Sequence, residues 1–310
     1  MFSVIFPGQG SQVVGMASKL YSKFDLFKKL YKDADEILNF PISKLILEGP
    51  KDQLDLTENT QPAIFLVGYS IFQLIKEEFK IDLCSAKFFA GHSLGEYTAL
   101  ACSGALSFAD TLKILKIRGN AMQSAVPKGE GGMLAIMGSD PENIEKIFKE
   151  NKNNYECFIA NDNSNGQLVV SGSTENIKKL SLDLTSKKIK NIKLSVSAPF
   201  HCKLMKKATE IMKKEIEKLE FKNFNNALIS NVTAKEIEDK NILKDLLIKQ
   251  IESRVRWRES VQYIINNGVN KFIEIGPGKV LSGLIKRIDR DIKVSAINNE
   301  EDISIIKIND

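Results

Sequence analysis

The chain has 310 residues, of which 43% are apolar and 27% charged. This is the composition of a globular protein, long enough for one large domain or for a large domain with a smaller insert. No apolar run approaches the ~20 residues that a membrane-spanning helix needs. A net charge of +5, with lysines spread along helical segments, argues against nucleic acid as a partner.

The N-terminal residues and the cysteines predict a compartment. The first residues run into Pro7-Gly8 without a basic segment or a cleavage-site pattern, so no signal peptide is expected. The four cysteines are scattered and form no C-x-x-C pair. That pattern is typical of a reducing compartment and argues against structural zinc. We therefore expect a cytoplasmic protein with no bound metal and no membrane contact.

Strand and helix patterns alternate from the N-terminus, which predicts an α/β protein with a parallel sheet and helices on both faces. Residues 2–6 form the first predicted strand, and a helix is expected from about Val13, with further helices at 24–38 and 61–79. The loop GQGSQ at 8–12 lacks the third glycine of a dinucleotide fingerprint and the Gly-Lys-Ser/Thr of a Walker loop. Its backbone N–H groups are therefore expected to face something other than a pyrophosphate.

The chain is organised around residues 87–106, KFFAGHSLGEYTALACSGAL. A short apolar strand turns into a helix, with Ser93 at the turn and a glycine two residues to either side, which is the pattern of a nucleophile elbow. A Cβ atom at either flanking position would crowd the turn. We expect the Ser93 hydroxyl to face the first turn of the helix, where free N–H groups and the helix dipole favour a developing oxyanion.

The next predicted helix, 107–125, carries Arg118 on its apolar stripe. No acidic residue lies between Asp110 and Glu130, so a local counter-ion is absent, and burying an unpaired guanidinium is costly. One possibility is that the side chain reaches solvent or pairs with a distant carboxylate such as Glu274. The preferred hypothesis is that the carboxylate arrives with a substrate and is held by the guanidinium fork.

From about Gly129 the order of elements becomes β-α-β-β-α-β, which is typical of a ferredoxin-like domain. These elements are predicted at 133–137, 141–150, 157–160, 167–171, 174–188 and 190–196. The Asn-rich stretch 161–166 is expected to be the hairpin loop. We therefore predict a catalytic domain made of residues 1–127 and 198–310, with an inserted domain at 128–197.

The remaining segments return to the first sheet. Helices are predicted at 203–219, 241–253, from Trp257 onward and at 279–288, and strands at 227–232, 271–275 and 293–297.

Histidine is rare in this chain, which has only His92 and His201. His92 is the neighbour of Ser93 on a tight turn, where adjacent side chains point apart. If a histidine activates Ser93, it is therefore His201, by elimination. The group that orients the imidazole stays open: Asn231 and the end of the helix near Gln250 are candidates, and an amide or a backbone carbonyl can serve.

Several motifs together resemble the malonyl-CoA:acyl carrier protein transacylase family. They are GQGSQ, GHSLGEY, an arginine in the following helix, the Ala-x-Phe-His pattern, SNVTA and FIEIGPGKVLSGL, in family order over essentially the whole chain. Where many members have a small residue, this chain has Pro199. The resemblance implies an α/β-hydrolase-like large domain with a ferredoxin-like small domain, and ping-pong transfer of a malonyl group.

The resemblance also implies roles for residues. Ser93 is the nucleophile, His201 the base and Arg118 the binder of the malonyl carboxylate. The N–H groups of Gln12 and Leu94 form the oxyanion hole. The resemblance further implies that the main-chain carbonyl of Gln250 orients His201, and that Phe200 disfavours α-methylated acyl groups, by only ~1–3 kcal/mol.

The implied partners are malonyl-CoA and an acyl carrier protein with its phosphopantetheine thiol. We expect no bound cofactor and a monomer. Basic side chains near the cleft are expected to meet the acidic carrier, and the candidates are Lys187, Lys188, Lys190, Lys286 and Arg287. Three alternatives remain open: a serine esterase or thioesterase, a trans-acting polyketide acyltransferase, and a non-enzymatic carrier-binding scaffold.

Overall fold

The strands of the protein form two separate sheets in the computed structural model, which describes residues 1–196, 198–304 and 306. Its strands are β1 (Phe2–Phe6), β2 (Phe88–Gly91), β3 (Gly131–Met137), β4 (Cys157–Ser164), β5 (Gln167–Ser173), β6 (Lys190–Lys193), β7 (Ala227–Leu228), β8 (Lys271–Ile275) and β9 (Lys293–Ile297). The first sheet is parallel, in the order β7-β2-β1-β8-β9, and the second is antiparallel, in the order β4-β5-β3-β6.

Helices cover both faces of the parallel sheet and one face of the antiparallel sheet. They are α1 (Ser18–Lys23), α2 (Asp25–Leu38), α3 (Ile42–Glu48), α4 (Lys51–Leu54), α5 (Thr57–Glu77), α6 (Leu94–Cys102), α7 (Phe108–Ser124), α8 (Pro141–Glu150), α9 (Thr174–Ser186), α10 (Lys206–Glu217), α11 (Leu243–Gln250), α12 (Trp257–Asn266), α13 (Val280–Ile288) and α14 (Glu300–Ser304). Alternating strands and helices with a parallel sheet confirm the predicted α/β class.

The parallel sheet is apolar on both sides, and its side chains alternate between two cores. Val4 and Phe6 of β1 join the core that includes α5, whereas Ile5 between them joins the core beneath α12 and α13. Such a strand is buried on both faces and therefore reads as a continuous apolar run. The carboxyl ends of β1 and β2 lead into the GQGSQ loop and the elbow, so these two loops meet at one edge of the sheet.

The antiparallel sheet has the strand order and connections of a ferredoxin-like unit, as predicted. Its core lies between the strands and helices α8 and α9. Ser197, the last residue of the predicted insert, lies outside the described residues. The bounds 128–197 for this unit stay a prediction.

Several predicted element bounds are wrong. Helix α1 begins at Ser18 rather than near Val13, and α5 begins at Thr57, so that Pro62 lies inside the helix. Strand β6 ends at Lys193; Leu194 still bonds Met133, and the next residues turn away to line a cavity. The ends of these elements were predicted from a proline and from local apolar runs. Neither signal reflects the tertiary contacts that decide where the element begins or ends.

The predicted loop 161–166 is also wrong, because its first four residues continue β4. Two bulges in the pairing with β5 shift the register and let the strand run on to Ser164. Here β4 also pairs with Val255: its N–H donates to Ala160 O (2.8 Å), and its carbonyl accepts from Asp162 N (2.9 Å). These two hydrogen bonds join β4, the edge strand of the antiparallel sheet nearest the elbow, to the segment that precedes α12.

Within the described part of the chain, none of the helices combines the length and the apolar character that a membrane crossing requires.

Candidate active site

Ser93 occupies a strained turn between β2 and α6. Its φ of 54° and ψ of −108° lie outside the regions that most residues adopt. The turn closes tightly: a Cβ atom at Gly91 would lie 1.9 Å from the carbonyl carbon of Gly95, and one at Gly95 would lie 2.3 Å from Phe6 O. Only glycine fits these two positions, as the elbow pattern predicts. The serine side chain consequently lies in the cavity beside the sheet.

The imidazole of His201 is within hydrogen-bonding reach of the serine. Its Nε2 lies 2.8 Å from Ser93 Oγ, and its Nδ1 lies 2.9 Å from the main-chain oxygen of Gln250. Because a carbonyl only accepts, Nδ1 carries the proton and Nε2 is free to accept the serine hydroxyl. Burial, and then repulsion by Arg118, lower the pKa of His201 to about 3. The ring is therefore a neutral base at physiological pH.

The second histidine faces another way. His92 Nε2 lies 2.9 Å from Asn163 Oδ1, and its ring packs 5.8 Å from that of Trp257. Burial lowers the pKa of His92, so this ring is neutral too. It links the elbow to β4.

Arg118 lies beside the serine and is 1% exposed. Its Nη2 donates to Ser93 Oγ (3.1 Å) and to the side-chain oxygen of Gln250 (2.8 Å). Its Nη1 donates to the side-chain oxygen of Gln61 at 2.7 Å. Its Nε has no partner among the described residues. The guanidinium is thus held by neutral oxygen atoms and keeps free donors in a buried place.

Arg118 neither reaches solvent nor pairs with Glu274. A side chain that is 1% exposed does not reach solvent. Glu274 is engaged elsewhere: its carboxylate accepts from Leu281 N at 3.0 Å and from Ser282 N at 2.7 Å, at the start of α13. It caps that helix and does not pair with Arg118.

Two backbone N–H groups of the site have no hydrogen-bond partner within the described residues. They belong to Gln12, in the GQGSQ loop, and to Leu94, in the first turn of α6, and both residues line the same cavity as Ser93. The side chain of Gln12 is itself fixed, since it donates to Asp55 (2.9 Å) and accepts from Gly10 N (2.8 Å). A free pair of this kind can hold an oxyanion.

Three buried polar side chains form a layer beneath the serine. Asn231 accepts from Ser93 N at 2.7 Å and donates to Gly91 O at 2.7 Å, so it fixes the elbow rather than the imidazole. Gln250 donates to Ser93 O at 3.0 Å and to Glu96 at 2.7 Å. Sequence reasoning did not single out Glu96, although a glutamate three residues after the serine, on a helix without exposed faces, was a possible signal.

The cavity over the serine has a volume of about 550 Å³ and lies between the two sheets. Arg118 and Met122 of α7 line one side of the cavity. Met133 of β3 and Val169 of β5, both in the antiparallel sheet, line the other. Phe200, 8% exposed, also lines it, and its main-chain oxygen accepts from Ser171 at 2.6 Å. The structure therefore brings together all seven residues predicted for the site.

The comparisons with known proteins agree with one another. The acyl transferase domain family matches residues 3–301. A malonyl CoA-acyl carrier protein transacylase of Bacillus subtilis is 42% identical over 97% of this chain and 94% of its own length. The structure of an acyl-carrier-protein S-malonyltransferase from Bartonella henselae matches with a TM-score of 0.94 and 40% identity, over 98% of this chain and 97% of that one.

A third relative is a malonyl-transacylase solved in complex with a type II PKS acyl-carrier protein. It matches with a TM-score of 0.93 and 34% identity, over 98% of this chain and 97% of that chain. Matches of this extent cover both sheets and the cavity between them. The chain therefore belongs to the acyl transferase domain family, among the malonyl CoA-acyl carrier protein transacylases.

Proposed function

We propose that this protein transfers a malonyl group from malonyl-CoA to the phosphopantetheine thiol of an acyl carrier protein, through a malonyl ester on Ser93, in fatty acid biosynthesis. The observation that carries the proposal is the buried guanidinium of Arg118, 3.1 Å from the serine oxygen. A hydrolase of neutral esters has no use for a cation at that place. The names of the relatives support the same reaction.

Substrate binding rests on Arg118 and Phe200. A guanidinium has five N–H donors, and those not engaged by Gln61, Ser93 and Gln250 are available to the malonyl carboxylate. The charge-assisted pair holds the acyl group so that its thioester carbonyl lies over Ser93. The ring of Phe200 fills space beside the α-carbon, which disfavours branched acyl groups.

Acylation uses the neutral imidazole as base. His201 Nε2 takes the proton of the Ser93 hydroxyl as Oγ attacks the thioester carbon, and the N–H groups of Gln12 and Leu94 stabilise the oxyanion. When the tetrahedral intermediate collapses, the carbon–sulfur bond breaks and His201 protonates the departing CoA thiolate. The Gln250 carbonyl holds Nδ1–H throughout, so the ring keeps its tautomer and orientation.

Transfer to the carrier runs the same chemistry in reverse. The phosphopantetheine thiol gives its proton to His201, and its sulfur attacks the malonyl-serine ester. The oxyanion again lies against Gln12 and Leu94, and Ser93 leaves with the proton from His201. The reaction needs no bound cofactor, because imidazole, hydroxyl and N–H groups supply each step.

The carrier is expected to approach along α13. Val280, Leu281 and Leu284 of this helix line the cavity, and its last turn carries Lys286 and Arg287. Arg287 donates to Gln167, which also lines the cavity, and basic side chains beside a cavity suit an acidic partner. The other candidates, Lys187, Lys188 and Lys190, follow α9 on the second sheet, and Lys187 already pairs with Asp183 at 2.8 Å. We further propose a monomeric, cytoplasmic enzyme with domains at 1–127 with 198–310 and at 128–197.

Intact-mass spectrometry tests the function. After mixing with malonyl-CoA, the protein is expected to gain one malonyl group on Ser93, and adding a phosphopantetheinylated carrier protein is expected to remove it and load the carrier. Ser93→Ala is expected to remain unlabelled with its fold intact. Rapid release of free malonate without loading of the carrier would instead identify a hydrolase, and labelling of the Ser93→Ala protein would overturn the assignment of the nucleophile.

A further inference from the structure

Glu96 is a buried carboxylate that the proposed reaction does not use. It lies in the first turn of α6 and is 2% exposed. One of its oxygens, Oε2, accepts from Gln250 Nε2 at 2.7 Å and from Asn231 N at 3.1 Å. The other, Oε1, has no partner among the described residues. A charge in such a place is costly unless a nearby charge of opposite sign stabilises it.

The side-chain amide of Gln250 lies between Glu96 and Arg118. Because an ionised carboxylate only accepts, Gln250 turns its NH₂ group towards Glu96 and consequently its oxygen towards Arg118. The two contacts measure 2.7 Å and 2.8 Å. The amide therefore aligns its dipole with the field between the anion and the cation.

This arrangement separates the cation from its counter-charge by one side chain. A carboxylate in direct contact with Arg118 would stabilise the buried cation, but it would also occupy the donors that a substrate carboxylate needs. A carboxylate one residue away lowers the cost of burial through the local low dielectric and leaves donors free. Among the described residues, Arg118 is the charged group that lowers the pKa of Glu96. The other groups near Glu96 are Tyr97, the next residue of α6, and the neutral groups of Gln250 and Asn231.

We propose that Glu96 is the counter-charge of Arg118 in the unloaded enzyme, and that as a positioning residue it competes with the carboxylate of the incoming acyl group for the field of that cation. The inference rests on the proposed function. It predicts that binding of a charged acyl group weakens when Glu96 is ionised, whereas binding of a neutral acyl group does not.

The competition depends on pH. Burial raises the pKa of Glu96 to about 7, although Gln250, Asn231 N and Arg118 each oppose the shift. A proton on the unpaired Oε1 leaves both bonds to Oε2 in place, so the site keeps its geometry when Glu96 is neutral. Below pH 7 the neutral acid predominates and Arg118 is free to attract the substrate. Above pH 7 the ionised Glu96 carboxylate also attracts Arg118, so the attraction between Arg118 and the substrate carboxylate is weaker.

The measurement is the second-order rate constant for acylation of Ser93, taken by rapid quench and intact mass with malonyl-CoA and with acetyl-CoA. The ratio of the two constants is the malonyl preference; it cancels effects of pH on the CoA moiety, on His201 and on the serine. We expect this preference to fall about five- to tenfold from pH 6 to pH 8, the size that one partly screened charge produces.

Glu96→Gln keeps the shape and the acceptor oxygen but has no charge. Its malonyl preference is expected to be independent of pH and equal to the high value of the unmodified protein at pH 6. Glu274→Gln is the matched control, because it removes another buried carboxylate that caps α13, and it should keep the fall with pH.

The outcomes separate the two proposals. A malonyl preference that is flat in the unmodified protein, or that still falls in Glu96→Gln, would overturn the role of Glu96. Should Glu96→Gln fail to fold, the pH profile of the unmodified protein still decides. Absence of malonyl-Ser93 at every pH in the unmodified protein would instead contradict the proposed function.

Discussion

The main-chain oxygen of Gln250 lies 2.9 Å from His201 Nδ1, the place where many serine enzymes have a carboxylate. A carbonyl fixes the tautomer of the ring but carries no full charge to stabilise an imidazolium. The leaving group in the proposed reaction is a thiolate, which needs less protonation than an amine. A neutral partner for the base is therefore sufficient for acyl exchange between thiols.

The pH dependence of acetyl transfer follows from the state of His201. The neutral ring is the active form, and it persists at every pH above its pKa, which burial and Arg118 lower to about 3. With acetyl-CoA, the rate of Ser93 acylation is expected to change by less than about twofold between pH 5 and pH 8. A decline of more than tenfold towards pH 5, as a histidine of ordinary pKa near 6.5 gives, would refute this prediction.

Removal of the guanidinium is expected to separate two substrates. Arg118→Ala should lower malonyl transfer about 10- to 100-fold, the value of one lost charge-assisted contact, and leave acetyl transfer unchanged or improved. Steady-state rates with both acyl-CoA substrates provide the test. Lys113→Ala removes an exposed cation from the same helix and is the control. Equal losses for both acyl groups in Arg118→Ala would exclude a role in binding the carboxylate.

The elbow glycines are expected to be intolerant of any side chain. In Gly91→Ala the new Cβ would lie 1.9 Å from backbone of Gly95, which has no room to move against Phe6. Urea denaturation should show a loss of about 3 kcal/mol or more in the free energy of unfolding.

Gly283→Ala is the matched control for that substitution. An added Cβ there meets nothing within 4 Å, in the interior of α13. Stability is expected to stay the same or to rise by up to ~1 kcal/mol, since alanine favours helix over glycine. Similar losses of stability in Gly91→Ala and Gly283→Ala would show that the close approach of Gly95 is not the reason why position 91 requires glycine.

An ion pair joins α12 to β4 and is expected to matter through its buried partner. Arg258 Nη2 lies 2.8 Å from Asp162 Oδ2, and Arg258 Nε lies 3.0 Å from Asp162 Oδ1, while the Asp162 side chain is 0% exposed. Arg258→Met leaves that carboxylate unpaired and should cost about 3–5 kcal/mol in unfolding experiments.

The double variant Asp162→Asn with Arg258→Met is expected to recover most of that loss. A double-mutant cycle measures the coupling, and a coupling energy near zero would indicate that the pair is incidental.

Local sequence was sufficient for much of the fold and for the centre of the site. The elbow depends on a strand, a serine and two glycines within a few residues, and β1, β8 and α7 follow from apolar patterns of the right period. With two histidines in the chain, counting singled out His201, whose Nε2 the structure places 2.8 Å from Ser93 Oγ. The elbow, the strands and the helix were predictable because each rests on neighbours in sequence, whereas His201 was reached by elimination.

Only the tertiary structure decided where Arg118 lies and which groups surround it. Its bond to Gln250 joins residues 132 apart, and the bond from Gln250 to Glu96 spans 154. The run of β4 through Asn161–Ser164 depended likewise on pairing with Val255. A hydrogen bond between distant segments leaves no periodic trace in either one, because its energy arises only once the chain has folded. The place of Ser93 at the elbow was thus predictable from sequence, whereas the buried surroundings of Arg118 were not.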